Sequence, residues 1–344
     1  MRHGGRSAWL FILVIGLLVA GAVTLGVAEP AKKFVFGQSG GASMEASRDI
    51  FWKDFTARTG ITIEPLVPSS FGKLRAMVES GKVTASLWDL GSSDLEQAIS
   101  LGLIEKIDWA KVNPGPMFPE MKRDYGFGQT YFSTGMAWKK GTTALSTWVD
   151  FWNVQKFPGK RCLSDFPSFT LPLAVMAAGV PLDKVYPLDL DLAFKMLDQI
   201  KPHVAVWWNA GSQPPQLLTD GEVAYCSAWN GRVMPVEGLE FNYNQGMLDI
   251  AYYVVPKGAP PAEKEAAMLL LHDWTDPKLQ AEYAKRVFYP GSSPNLHQYL
   301  PADLKDRLPT SPGNKERQIL TNAKWWFENA QKVQTRWQEW KLTR

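Results

Sequence analysis

The run FVFGQSGGAS, residues 34–43, carries the most suggestive chemistry in the chain. Gly37, Gln38, Ser39, Gly40 and Gly41 satisfy G-x-S-x-G, the turn that lifts a nucleophilic serine above the sheet of many hydrolases. A hydrolase needs a base, and beyond His3 the only histidines are His203, His272 and His297. None has a flanking pattern that marks it as one, although a triad assembles in space rather than in sequence. Ser39 also follows what reads as the first strand, whereas the nucleophile elbow normally follows several. A secreted serine hydrolase using Ser39 is therefore kept as the alternative to a binding loop.

Other chemistries fare worse. The loop lacks the G-x-x-x-x-G-K-[ST] of a phosphate-gripping loop and the G-x-G-x-x-G of a dinucleotide site. There is no H-E-x-x-H and no His/Cys/Asp cluster with metal spacing, so neither cofactor nor metal is expected. Asp189 and Asp191 look like a carboxylate pair, but they open a helical pattern, where acids favour the positive end of the dipole. What remains is a set of polar, glycine-flanked or aromatic positions: Ser39–Gly41, then Gly91, Ser92, Ser93 and Asp94. Further on come Trp207, Trp208 and Asn209 with Gly211, Ser212 and Gln213, and finally Trp229, Asn230, Gly231 and Arg232. All fall where strands are expected to end, and ligands of open α/β sheets bind at the carboxyl ends of strands.

The elements that position them alternate. Strands are expected over 34–36, 61–66, 86–90, 131–139, 160–163, 205–207, 223–228 and 248–255. Helices are expected over 44–58, 71–79, 94–100, 147–153, 171–178, 190–199, 263–275 and 277–285, with a helical turn at 215–220. Strands alternating with helices of this length predict an α/β fold with a mostly parallel sheet. At the end of the chain Trp326, Ala330, Val333, Trp337 and Trp340 recur at helical spacing, which reads as a helix over 323–342 whose apolar stripe is core.

Bulk properties narrow the class. A chain of 344 residues with 45% hydrophobic and 21% charged content is long enough for two domains and is no disordered tail. Its formal charge is +3; without Arg2 and Arg6 it has 35 basic against 34 acidic residues, so nothing sequence-wide favours nucleic acid or an anionic membrane. Those two arginines and His3 precede an apolar run over 8–27, with Gly26 and Ala28 where a signal peptidase reads small residues. Residues 1–28 are expected as a cleaved signal peptide, against the reading of an uncleaved anchor, and either directs the rest out of the cytoplasm. The two cysteines, Cys162 and Cys226, sit in expected strands. Buried free thiols are the favoured reading, with pairing open if those strands are neighbours.

Taken together, certain stretches resemble the periplasmic solute-binding proteins of ABC transporters, the spermidine/putrescine-binding type among them. They are 147–159 (TWVDFWNVQKFPG) with Lys160 and Arg161, 185–197 (VYPLDLDLAFKML), Ile200-Lys201-Pro202, 207–213 (WWNAGSQ) and 216–223 (QLLTDGEV). The set is completed by 228–232 (AWNGR), Asn244-Gln245-Gly246 and 255–259 (VPKGA). The resemblance implies a two-lobed, type II-like fold whose lobes are joined by two crossing strands, 131–139 and 248–255, with the ligand between. One lobe would comprise residues 32–135 plus 253–309, the other 136–249, and a helical segment over 310–344 would pack on the body. It implies a monomer in the periplasm that binds a small solute without turnover and delivers it to a membrane permease. Ligand contacts would come from Ser39, Gly40, Ser92, Ser93 and Asp94, from Tyr131 and Phe132 near a crossing, and from Phe169, Trp208, Gln213, Trp229, Asn230, Arg232 and Asn244. Ser92 and Ser93 also suit helix caps, Trp207 suits core, and Arg232 suits a structural ion pair. Asp94 is the only acid clearly in a candidate loop, which suits a small amine or amino-acid-like zwitterion at least as well as a polyamine. Its carboxylate would lie on Arg232 or on the Ser39 and Gly40 N–H groups, its ammonium on Asp94.

Overall fold

The computed structural model describes residue Met1 and residues 31–342, so the expected leader lies outside the described residues. Among the described residues the strands run β1 (Lys33–Gly37), β2 (Thr62–Leu66), β3 (Leu87–Gly91), β4 (Ile104–Glu105), β5 (Lys122–Arg123), β6 (Gly126–Lys139) and β7 (Arg161–Ser164). They continue with β8 (Val204–Trp208), β9 (Tyr225–Trp229), β10 (Leu239–Pro256) and β11 (Gln318–Leu320). Along the main path the sheet order is β2-β1-β3-β10-β6-β9-β7-β8. The outer strands pair in parallel, β1 with β2 and β3 and β7 with β8 and β9, as connections through helices demand. The two long strands β6 and β10 pair antiparallel with each other and pass from one half of the sheet to the other.

Each half has its own core. Phe34, Phe36, Phe51, Phe55, Leu271 and Trp274 are buried together in one half, and Leu163, Leu173, Phe194 and Leu197 in the other. The helix Ala323–Leu342 buries Trp326, Val333, Trp337 and Trp340 in the second of these, and it also packs against the helix Ser92–Ser100 of the first half. Ala330, the remaining member of the expected stripe, is exposed. No helix among the described residues is long and apolar enough to cross a membrane.

The crossing strands are longer than the apolar pattern indicates. Gly126 and Gly128 obscure the start of β6, yet the Met121 side chain lies where a Cβ on Gly128 would stand, 2.5 Å away. The favoured reading of the cysteines is overturned: β7 and β9 are neighbours, Cys162 faces Cys226 in register, and the two form a disulfide. Asp189 caps the helix Leu190–Ile200 through the Leu192 N–H and Asp191 pairs with Arg336, so these acids are structural.

Candidate functional site

A cavity of about 470 Å³ opens between the two halves at the carboxyl ends of β1, β3, β7 and β9, floored by β6 and β10. Of the residues proposed from the sequence, Ser39, Ser93, Asp94, Phe132, Phe169, Trp229 and Arg232 line it. Phe132 stands at the centre of an aromatic group drawn from both halves, with ring centroids 6.1 Å from Phe169, 6.0 Å from Trp229 and 6.3 Å from Tyr289. Arg232 reaches across: a Cβ on Gly41 would lie 3.1 Å from its Nη1. Gly231 beside it allows a close approach, because a Cβ there would meet the Tyr289 ring and the Val287 carbonyl at 2.4 Å.

The other proposed residues stand outside the cavity lining, each for a physical reason. Tyr131 neighbours Phe132 on a strand and so faces away, donating its hydroxyl to Glu120 at 2.6 Å. Trp208 is 0% exposed and lies behind Trp229, with its indole N–H on the Ser227 carbonyl at 2.8 Å. Its neighbour Trp207 packs edge-to-face on Trp337 and Trp340, as a core residue should. Asn230 is also fully buried; it accepts from the Ser133 N–H at 2.8 Å and donates to the Phe288 carbonyl at 2.7 Å. Gln213 accepts from the Asn209 and Ala210 N–H groups, and Asn244 donates to the Ser146 carbonyl. Gly40, at φ 82°, turns the chain against Val67. Ser92 is buried, and the cap of its helix is Gly91 rather than a serine side chain.

Sequence reasoning missed Asp89, Gln129, Phe166, Asp249 and Tyr289, all of which line the cavity. Asp89 accepts a short hydrogen bond from the Ser39 hydroxyl. Burial pushes its carboxyl up to about 6, against the opposing pull of Ser39 and the Gln129 amide. Burial alone lifts Asp94 to about 6, and no hydrogen bond or ion pair engages it among the described residues. Asp249 also rises to about 6, chiefly by burial and slightly by the charge of Asp94; polar groups of Ser92, Ile250 and Thr321 hold it back. An acid inside an apolar strand, as in Trp88-Asp89-Leu90 and Leu248-Asp249-Ile250, is the signal that could have found two of these, because burying a carboxylate without purpose is costly.

Several buried polar atoms in the lining have no partner among the described residues: the Trp229 Nε1–H and the Arg232 Nε–H on one wall, and the Gln129 Oε1 on the other. Among the described residues no histidine lines the cavity, and the Ser39 hydroxyl donates to the Asp89 carboxylate.

Two α/β lobes joined by crossing strands, with a polar and aromatic cleft between them, define a solute-binding protein. Residues 51–309 match the family of bacterial extracellular solute-binding proteins, and the chain belongs to it. It is 31% identical over 314 residues, 88% of each chain, to the gamma-aminobutyric acid-binding protein of Pseudomonas aeruginosa. A solved ABC transporter substrate-binding protein from Bradyrhizobium japonicum shares 35% identity and a TM-score of 0.84, over 90% of this chain and 99% of that one. The Atu4243 GABA receptor shares 31% identity and a TM-score of 0.83, over 91% and 98%. The chain is thus the solute-binding component of an ABC transporter, working with a membrane permease, and not an enzyme.

Proposed function

We propose that the solute is a small ω-amino acid of the 4-aminobutyrate kind, held as a zwitterion across the cleft. The observation that carries this is the sorting of unpartnered groups by wall. The Arg232 Nε–H, on a guanidinium that also reaches Tyr289, and the Trp229 N–H offer donors from one lobe, and Asp94 offers a free carboxylate from the other. A carboxylate on the guanidinium and an ammonium on Asp94, with Asp249 behind it, satisfies both ends by charge-assisted hydrogen bonds. The faces of Phe132, Phe169 and Trp229 cover the methylenes between them. Two relatives of this chain carry the name of the same ligand, which supports the reading.

The remaining expectations join this proposal: export to the periplasm behind a cleaved leader, action as a monomer, and lobes of 32–135 plus 253–309 and of 136–249. The polyamine class named by the resemblance is the competing solute, since the cleft is rich in acids. Native mass spectrometry and a thermal-shift panel of 4-aminobutyrate, 5-aminopentanoate, putrescine and spermidine decide between them. The expected result is one solute per chain and a rise in melting midpoint with the amino acids. A rise with the polyamines alone would replace this reading, and no rise with any would end it.

A further inference from the structure

The cleft holds more negative charge than an ω-amino acid balances. Its lining carries three carboxylates, Asp89, Asp94 and Asp249, against one guanidinium, Arg232. A neutral zwitterion leaves that surplus uncompensated in a partly dehydrated cleft, which is unfavourable. A second and independent observation lies in β6. The register between β6 and β10 shifts between the Ala251–Thr130 and Tyr252–Gly128 pairs, so Gln129 is the extra residue of a β-bulge. Bulges re-aim a side chain and recur beside functional sites. Gln129 is 5% exposed, lines the cavity, and leaves its Oε1 without a hydrogen-bond donor, while its amide lies beside Asp89. The open positions of this group are therefore acceptors. Its place is informative too. Ser39, bonded to Asp89, lies two residues from Gly41, the backbone point that Arg232 Nη1 approaches.

Building on the zwitterion reading, we propose that Asp89, Gln129 and Ser39 form a second ammonium subsite beside Arg232, so that the preferred solute is an α,ω-diamino monocarboxylic acid. The α-carboxylate lies on Arg232, the α-ammonium on Asp89 and the Gln129 carbonyl oxygen, and the ω-ammonium on Asp94. Such a solute adds one positive charge to a cleft with surplus acids. The cavity of about 470 Å³ exceeds the roughly 270 Å³ that nine heavy atoms occupy at the share of liquid volume taken by a water.

The test compares L-ornithine with 5-aminopentanoate, which has the same carbon chain without the α-amine, by calorimetry on the full mature chain at pH 7.5. Ornithine is expected to bind at least tenfold more tightly. Gln129→Leu and Asp89→Asn should each cut that ratio at least fivefold, whatever they do to both affinities, while Gln129→Glu should preserve or raise it. Thermal unfolding of each variant confirms that it is folded. If 5-aminopentanoate binds and ornithine binds no better, the second subsite is refuted and the zwitterion reading stands. An unchanged ratio in the folded variants refutes it as well. If neither compound nor 4-aminobutyrate binds, both readings fall together.

Discussion

The two walls of the cleft are built on different physical principles. The wall from the first lobe carries Phe71 and Tyr289 but is chiefly polar and acidic: Ser39, Asp89, Ser93 and Asp94, with Gln129 beside them on the crossing strand. The wall from the second lobe is aromatic and cationic: Phe166, Phe169, Trp229 and Arg232. The carboxylates stand on one side and the guanidinium on the other, so neither lobe alone can satisfy both charges of a zwitterion. A solute that bridges them makes differential contacts to both lobes at once, which is what a ligand needs in order to shift a hinge equilibrium. The second wall also carries a covalent cross-link. Cys162 and Cys226 tie together β7 and β9, the strands that lead into Phe166 and Trp229.

That asymmetry is the most exposed to test. Replacing both cysteines by alanine opens a loop of sequence separation 64. On the chain-entropy account this costs up to about 4 kcal/mol. Calorimetric unfolding should then show the second lobe melting before the first, with Trp229 losing its environment in the earlier step. A single transition, displaced as a whole, would mean that the lobes unfold as one unit and that the disulfide does not distinguish them.

Next in size is the cation. Arg232→Gln removes the only charged donor that lines the cavity among the described residues. Losing one partner of a desolvated charged pair costs about 2–5 kcal/mol, so the affinity for 4-aminobutyrate should fall on the order of 100-fold. An equal loss for putrescine, which has no carboxylate, would show that Arg232 shapes the wall and does not hold the solute.

The opposite wall gives a smaller loss with a distinctive sign. Asp94 has its carboxyl raised to about 6 in the folded protein from 3.8. The folded state thus holds that proton more tightly than the unfolded chain, and the stability it supplies is lost as pH rises from about 4 to about 6. Asp94→Asn removes this penalty at pH 7.5 and should raise the melting midpoint of the ligand-free protein. It should also weaken 4-aminobutyrate roughly tenfold, the size of one charge-assisted hydrogen bond of about 1.5 kcal/mol. At pH 5, where the wild-type carboxyl is mostly protonated, both differences should shrink. A variant less stable than wild type at pH 7.5 would show that Asp94 is structural.

The alternation of elements was legible because it is local, and so were the strand-end loops with Ser39, Ser93, Asp94, Trp229 and Arg232. The rest depended on facts that no short window contains. Asp89 and Asp249 lie within strands, and only the pairing of β3 and β10 brings them to the floor of the cleft. Gln129 is aimed by a bulge defined by the partner strand. Trp208 and Asn230 sit beside cleft residues in the sequence and are turned inward by strand parity and by the approach of Phe288. The disulfide was open for the same reason, since strand adjacency is non-local.

The smallest predicted change concerns a single hydrogen-bond donor. The Trp229 Nε1–H is buried on the aromatic wall with no acceptor, although a buried indole usually finds one. If the solute carboxylate spans the Arg232 guanidinium and this indole, Trp229→Phe deletes that donor together with part of the ring, and putrescine reports the ring part by itself. One hydrogen bond to a charged group is worth about 1.5 kcal/mol, and part of it is recovered by relaxation of the carboxylate onto Arg232. The expected loss for 4-aminobutyrate is therefore roughly threefold to fivefold. Putrescine, with no carboxylate to receive the indole, should be unaffected by the missing proton and lose only the difference in ring area. A parallel loss for both compounds would assign Trp229 to apolar contact with the methylenes and leave Arg232 as the sole anchor of the carboxylate.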